Sequence, residues 1–286
     1  MNAIIMAAGM STRFVPLSWE CPKALLEVKG EILIERQIRQ LIEAGINDIT
    51  IVTGYMSEKF DYLHDKFGVS LVYNPDYNRY NNISTLMCVL DRIKSTWICS
   101  SDNYLRKNVF KDHPLCSIYS AEYSKGKTSE YCLQLDSNDD IIGVTIGGEN
   151  SWYMLGPVFF SKEFSLVFTK ILEVEFSKKE IKTAYWEDVY IDNINVLPTM
   201  KIKKFEEGII NEFDTLTELR YFDNSYISDT RSNVIKKICS RLKCSEEDVK
   251  DIRKNNAEDG LSFNFSLKGE NIICKKINNN YILFFK

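Results

Sequence analysis

Asn2-Ala3-Ile4-Ile5-Met6-Ala7-Ala8-Gly9-Met10-Ser11-Thr12-Arg13 is the stretch on which the fold turns. Its first six residues form an apolar run, and Gly9 and polar residues follow at once, as where a buried parallel strand runs into a loop. The loop extends to about Pro22. From Glu31 onward Ile34, Ile38, Leu41 and Ile42 recur at helical spacing and stop at Gly45, a natural helix terminator. Ile49-Thr50-Ile51-Val52 predicts a second strand, and residues 57–67, 69–73, 84–93 and 96–100 read as helix, strand, helix and strand. Such alternation predicts an α/β fold with a Rossmann-like, doubly wound, mostly parallel sheet. Ligands of these sheets bind beyond the carboxyl ends of the strands, where the sequence places Ala7-Ala8-Gly9, Thr53-Gly54-Tyr55 and Ser101-Asp102-Asn103.

After residue 115 the pattern changes. Strand-like runs at 117–123, 130–135, 141–146 and 152–160 are separated by polar turns and followed by helices near 162–174 and 186–196, which reads as an α+β lobe laid against the sheet. Strands at 201–205 and 209–213 and a helix from Asp214 to Phe222 close the body. Residues 224–286 hold 12 Lys+Arg against 8 Asp+Glu, whereas residues 1–223 hold 24 against 32. The tail is therefore basic and the body acidic, which sets a boundary at Asp223 between a main domain and a small α+β appendage. Within the tail Val234, Ile235, Ile238 and Leu242 form one helical stripe, Ser245-Glu246-Glu247-Asp248 resembles a capping box, and residues 261–267, 271–277 and 281–285 read as strands, with Asn278-Asn279-Asn280 as a hairpin turn. So much apolar surface in about 60 residues implies docking, on the body or on a second copy in a homo-oligomer.

A chain of 286 residues accommodates one main domain plus an attachment, and 44% hydrophobic with 27% charged residues is ordinary globular composition. The net charge of −4 argues against nucleic acid as a partner, so any anionic ligand must meet a local basic site. Only His64 and His113 are present, which excludes chemistry built on several histidines. Eight cysteines without Cys-x-x-Cys spacing read as reduced core residues. No apolar run approaches the length of a membrane span and no basic leader precedes the first strand, which points to a cytoplasmic, reducing setting without membrane insertion.

The most informative residues follow the first strand. Small side chains at Ala7, Ala8 and Gly9 let backbone N–H groups approach a nucleotide, and Arg13 with Lys23, the latter in Pro22-Lys23-Ala24-Leu25-Leu26, brings two positive charges to a triphosphate. Asp102 in Ser101-Asp102-Asn103-Tyr104 and the acids of Glu212-Phe213-Asp214 stand at strand ends as hard oxygen ligands suited to Mg2+. Each has a plainer reading as well: Asp102 as the start of a turn, Asp214 as a helix cap.

The first of these stretches resembles the signature of the nucleoside-triphosphate transferases that make activated sugars and head groups, Gly-x-Gly-x-Arg followed by Pro-Lys, with Ser11 in place of the second glycine. The resemblance implies that Ala7, Ala8 and Gly9 line the nucleotide, that Arg13 and Lys23 contact its phosphates, and that Asp102 and Asp214 bind Mg2+. Gly54-Tyr55, Tyr80-Asn81-Asn82, Ser101-Asp102-Asn103-Tyr104, Glu130-Tyr131, Tyr185-Trp186-Glu187-Asp188 and Glu212-Phe213-Asp214 are similar, over roughly residues 1–223, to the bacterial phosphocholine cytidylyltransferases. That likeness implies CTP as co-substrate, with Tyr55, Asn82 and Ser101 at the nucleotide, and phosphocholine as acceptor.

A trimethylammonium group is best held by aromatic faces and a carboxylate, for which Tyr131, Trp152, Tyr185 and Trp186 with Glu130 and Glu187 are the candidates. The same aromatics also suit a core. A 2-aminoethylphosphonate or a sugar 1-phosphate is an alternative acceptor, and a non-catalytic nucleotide-binding scaffold is the alternative of another class. From about Asn233, with Gly260-Leu261-Ser262-Phe263-Asn264-Phe265, the tail resembles the N-terminal part of a choline kinase, and it contains no catalytic-loop or metal-binding aspartate of a kinase.

Overall fold

The computed structural model describes residues 1–178, 183–255, 261–278 and 280–285. Gly260 and Asn279, singled out above, lie outside these residues. The chain divides into two compact units, Met1–Gly9 with Leu33–Asn211, and Met10–Ile32 with Glu212–Lys286.

The first unit is built on a seven-stranded sheet. Its strands in chain order are β1 (Asn2–Ala7), β2 (Ile49–Thr53), β3 (Ser70–Tyr73), β4 (Thr96–Ser100), β5 (Ser117–Leu135), β6 (Ile141–Phe160) and β7 (Met200–Phe205). They lie side by side in the order β7-β5-β6-β4-β1-β2-β3. β1 pairs in parallel with β2 from Ala3↔Ile49 to Ala7↔Thr53 and with β4 from Asn2↔Thr96 to Met6↔Ser100. Pairing of β2 with β3 and of β7 with β5 is also parallel, while β6 runs antiparallel to β4 and β5. All five residues of β2 are buried, as a strand covered on both faces requires. The order β3-β2-β1 followed by β4 on the other side of β1 makes the β1/β4 boundary the switch point of the sheet, so the ends of both strands open onto its crevice.

Helix α1 (Leu33–Glu43) covers this sheet with Leu33, Ile34, Ile38 and Leu41, all fully buried, and stops as expected before Gly45, whose φ is +79°. The helix expected over 57–67 is a 3-10 turn at Ser57–Phe60 followed by α2 (Tyr62–Phe67). The one expected over 84–93 is α3 (Ile83–Met87) and a separate 3-10 turn, because Val89 leaves the helical region at φ −137°. Helices α4 (Lys162–Phe176) and α5 (Trp186–Asp192) follow β6. The four short strands expected between 117 and 160 are two long ones: the polar stretches around Gly126 and Gly147 carry shifts of register within one hairpin and do not end its strands. Phe160, Phe164, Phe168, Trp186 and Tyr190 make the aromatic centre of the core.

The second unit holds residues 10–32, which form three 3-10 turns at Thr12–Phe14, Leu17–Trp19 and Lys23–Leu25. With them pack α6 (Leu216–Phe222), α7 (Asn233–Leu242) and an antiparallel sheet in the order β8 (Lys250–Lys254), β9 (Ser262–Leu267), β10 (Glu270–Ile277) and β11 (Asn280–Phe285). β8 escaped the sequence pattern because Lys-Asp-Ile-Arg-Lys offers a single apolar residue, the buried Ile252. Packing thus divides the chain elsewhere than the charge-based boundary at Asp223. Trp19, Glu20 and Glu27 are bonded to residues beyond it: the Trp19 ring lies 5.5 Å from Phe263, Ser232 donates to Glu20, and Tyr226 donates to the Glu27 carbonyl. Among the described residues no helix is long and apolar enough to cross a membrane, and all eight cysteines are free thiols.

Candidate active site

In the first unit Ala7, Ala8, Gly9, Tyr55 and Ser101, expected at the nucleotide, lie at the carboxyl ends of β1, β2 and β4. Ala7 and Ala8 are buried, and the Ala8 carbonyl accepts from the Tyr55 amide at 3.1 Å, which ties the β1 loop to the loop after β2. This closeness explains Gly54: a Cβ there would meet the Tyr77 Cβ at 2.5 Å and the Ala8 carbonyl oxygen at 2.8 Å. Gly9 has open space where a Cβ would stand. The Ser101 amide donates to the Met6 carbonyl at 3.3 Å, which starts the turn bearing Asp102.

That turn is also held from behind. Gln37 on α1, 1% exposed, donates its amide to the Ser100 carbonyl at 2.8 Å and the Asn103 carbonyl at 2.9 Å, and Gln40 donates to the Leu105 carbonyl at 3.0 Å. Sequence reasoning missed both glutamines. Their signal was visible as polar residues on the apolar face of α1, where only a partner in the protein makes burial tolerable.

Asn82, expected at the nucleotide, instead grips the first residues of α5, the helix expected at the acceptor. Its side-chain oxygen accepts from the Trp186 amide at 2.9 Å and its nitrogen donates to Glu187 Oε2 at 3.1 Å, so both ends of the amide engage α5. Burial pushes the Glu187 carboxyl from an ordinary 4.5 up to about 7, partly opposed by the Asn82 hydrogen bond. Tyr131 donates its hydroxyl to Asp188 Oδ1 at 3.1 Å, and burial together with that carboxylate pushes the phenol up to about 12. Asp188 Oδ2 in turn accepts from the Tyr185 amide, closing the first turn of α5. Tyr185 and Glu130 are exposed.

Two aromatics depart from the expected cage. Trp186 is 1% exposed and lies in the core, stacked on Tyr119 at 6.1 Å and edge-on to Phe160 and Phe168, because α5 turns the first residue of its apolar face inward beside Val189 and Tyr190. Its ring therefore serves the fold. Trp152 packs against Tyr123 at 5.3 Å and carries the Lys204 ammonium 5.7 Å from its centroid, so a cation of the protein already covers it.

In the second unit Asp214 gathers two cations. Arg13 Nη1 lies 2.6 Å from Asp214 Oδ2, and Lys23 Nζ lies 3.6 Å from Asp214 Oδ1 and 5.7 Å from the centroid of Phe14. Lys23 is buried although charged, which only a paired cation tolerates. Thr215 caps α6 by accepting from the Glu218 amide, so Asp214 does not serve as that cap. Ser11, in place of the family's second glycine, takes the left-handed conformation at φ +48° that glycine adopts without penalty. Among the described residues no group of three or more His, Cys, Asp or Glu side chains is gathered closely enough to cage a metal. Asp102 and Asp214 are nevertheless hard oxygen donors of the kind Mg2+ takes one or two at a time, with water and phosphate completing its shell.

Residues 3–102 match the MobA-like NTP transferase domain. The choline-phosphate cytidylyltransferase of Streptococcus pneumoniae is 34% identical over 220 residues, 77% of this chain and 96% of that one. The 2-aminoethylphosphonate cytidylyltransferase of Lancefieldella rimae is 33% identical over 235 residues, 81% and 95% of the two chains. The solved structure of the S. pneumoniae CTP:phosphocholine cytidylyltransferase superposes with a TM-score of 0.75 over 78% of this chain and 98% of its own. That of a putative glucose-1-phosphate thymidylyltransferase from Bacillus anthracis, 17% identical with a TM-score of 0.64, shares the fold. A mostly parallel sheet with its switch-point loops, joined to a third of the residues of two cytidylyltransferases over nearly their whole lengths, makes this chain a nucleotidyltransferase belonging to the cytidylyltransferase family.

Proposed function

We propose that the enzyme transfers CMP from CTP to phosphocholine, giving CDP-choline and pyrophosphate, in the cytoplasm and with Mg2+. The observation that carries the chemistry is that Arg13 and Lys23, both in the loop that follows β1, pair with one carboxylate, Asp214, just before α6. A phosphate oxygen of the acceptor attacks the α-phosphorus of CTP, the bond to the β-phosphate breaks, and pyrophosphate leaves. The acceptor phosphate is already ionised at neutral pH, so positioning and charge neutralisation do the work without a general base.

Backbone groups of Ala7, Ala8 and Gly9, with Tyr55 and Ser101, receive the nucleotide, and Lys23 and Arg13 neutralise the phosphates. Asp102 and Asp214 would hold the metal, which when bound neutralises phosphate charge and orients the reacting groups. For the cationic head group we assign Tyr131, Tyr185 and Glu187, with Glu130 at the rim. Residues 1–223 carry the transfer and residues 224–286 no catalysis of their own. Eight free thiols support a reducing compartment.

One observation favours a second acceptor, 2-aminoethylphosphonate. With Trp186 in the core the aromatic set is smaller, while the Glu187 carboxylate, held by Asn82, offers oxygens that a primary ammonium uses as hydrogen-bond acceptors and a quaternary one does not. Pyrophosphate release should be screened with each of the four NTPs against phosphocholine, 2-aminoethylphosphonate and glucose 1-phosphate. Release should be fastest with CTP and phosphocholine. A faster rate with aminoethylphosphonate would put the second reading first, and no release with any pair would overturn both.

A further inference from the structure

Lys23 stands three residues after Glu20, and Glu20 is bound to a helix more than two hundred residues away. One carboxylate oxygen of Glu20 accepts from Ser232 Oγ at 2.6 Å and the Val234 amide at 3.0 Å, and the other accepts from the Asn233 amide at 2.8 Å. These are donors at the N-terminus of α7, which its own hydrogen bonds leave unsatisfied and where the helix dipole favours an anion. Ser232 also caps the helix by accepting from the Ile235 amide. Glu20 is thus built into the helix start and does not merely touch it.

The neighbouring residue adds a second anchor. The Trp19 ring stacks on Tyr281 at 6.4 Å with 4° between the planes, meets Phe263 edge-on at 5.5 Å, and lies under the Lys276 ammonium at 5.9 Å. Further along, the Glu27 carbonyl accepts from the Tyr226 hydroxyl and from Arg231 Nη1, both at 2.7 Å. Between these anchors the chain has little slack. The Cys21 amide is bonded to the Leu17 carbonyl, the Pro22 ring fixes its own φ, and the Leu25 and Leu26 amides close onto the Pro22 and Lys23 carbonyls.

We propose that Glu20 is a positioning residue for the transfer reaction: by closing the N-terminus of α7 it fixes the short segment that presents Lys23, so the hydrogen bonds at the start of α7 govern the use of CTP. The proposal rests on the assignment of Lys23 to the phosphates. It differs from a purely stabilising role in what it requires of the kinetics: loosening Glu20 impairs steps that involve the triphosphate and leaves acceptor binding alone.

The test uses the full chain, with kcat and KM for CTP and for whichever acceptor supports turnover, beside melting temperatures. Glu20→Gln removes the charge while keeping the shape, and Ser232→Ala removes one bond from the other side. Ile272→Ala hollows the buried side of β10 and serves as the control for stability alone. Glu20→Gln should lower kcat/KM for CTP by roughly tenfold or more and Ser232→Ala by roughly threefold, with acceptor KM within about twofold of the parent. Ile272→Ala should lower the melting temperature and leave both sets of constants in place below it. If Glu20→Gln and Ser232→Ala keep parental CTP constants, or if Ile272→Ala lowers them as far as Glu20→Gln does, the positioning role is wrong. Parental turnover by Lys23→Ala would instead remove the premise, and is read separately.

Discussion

Lys23 and Asp214 form an ion pair of unequal burial: the lysine is 6% exposed, the aspartate 33%, and Nζ stands 3.6 Å from Oδ1. Arg13, 68% exposed, takes the other oxygen of the same carboxylate. Asp214 therefore keeps two like charges near each other, and the more exposed pair contributes little to stability, about 0–1 kcal/mol. The value of the cluster lies in charge placement. Lys23→Ala should lower kcat by roughly 10²- to 10³-fold, the scale of losing one preorganised charge-stabilising group, with a melting curve close to the parent's. Turnover near the parental rate would remove Lys23 from the mechanism.

Trp186 gives the opposite pattern. Since its ring fills the space between Tyr119, Phe160 and Phe168, Trp186→Ala should cost about 3–5 kcal/mol of stability, and the conservative Trp186→Phe much less. Denaturant titration measures this directly. A parental midpoint combined with a selectively raised acceptor KM would return Trp186 to the binding site.

Glu187 should make stability and acceptor binding depend on pH in opposite directions. Its carboxyl is raised from 4.5 to about 7 by burial, so below the lower value it is protonated in both folded and unfolded chains. Between the two values the unfolded chain gives up the proton that the folded chain keeps, so stability falls as pH rises and the loss is complete above about 7, on the order of 3 kcal/mol. Glu187→Gln should therefore gain on the parent in melting temperature between pH 4.5 and 7.5. A bound cationic head group favours the ionised form, so acceptor KM should fall through pH 7 in the parent and stay level in the variant. Parallel pH curves for the two proteins would show that this carboxyl does not titrate there.

Gly54→Ala tests the junction between the β1 and β2 loops. The added methyl stands 2.8 Å from the Ala8 carbonyl oxygen, a backbone atom that cannot swing aside, so the Tyr55 amide must leave it. We expect kcat/KM for CTP to drop by about tenfold or more while α/β content by circular dichroism is kept. Unchanged CTP kinetics would mean that this junction does not shape the nucleotide site.

The parallel strands were legible because burial on both faces leaves a continuous apolar run, as in Asn2–Ala7 and Ile49–Thr53, and glycine or polar residues stop it. The long hairpin was not, since a bulge at Gly126 looks in sequence like the end of a strand. β8 was hidden for another reason: an edge strand needs only Ile252 to face inward, and its charges are what keep it from pairing with other chains. Arg13, Lys23 and Asp214, named from their motif, are brought together as an ion-pair cluster, whereas Gln37 was hidden because it acts through hydrogen bonds to a turn distant in sequence, and Asn82, named for the nucleotide, holds α5 instead. Trp186 shows the limit of composition: an aromatic beside two acids at a helix start fits a cage and a core equally well until the neighbours of its ring are known.

The bonds from Ser232, Asn233 and Val234 to Glu20 span more than two hundred residues of chain. Contacts so remote form late, because the whole intervening polypeptide must be made and brought back before they repay the closure of so large a loop. On the ribosome β1 and β2 can pair while the segment around Lys23 still waits for the residues from 232 to 281 to emerge. The segment around Lys23, among the first parts of the chain to be synthesised, is thus among the last to reach its native setting.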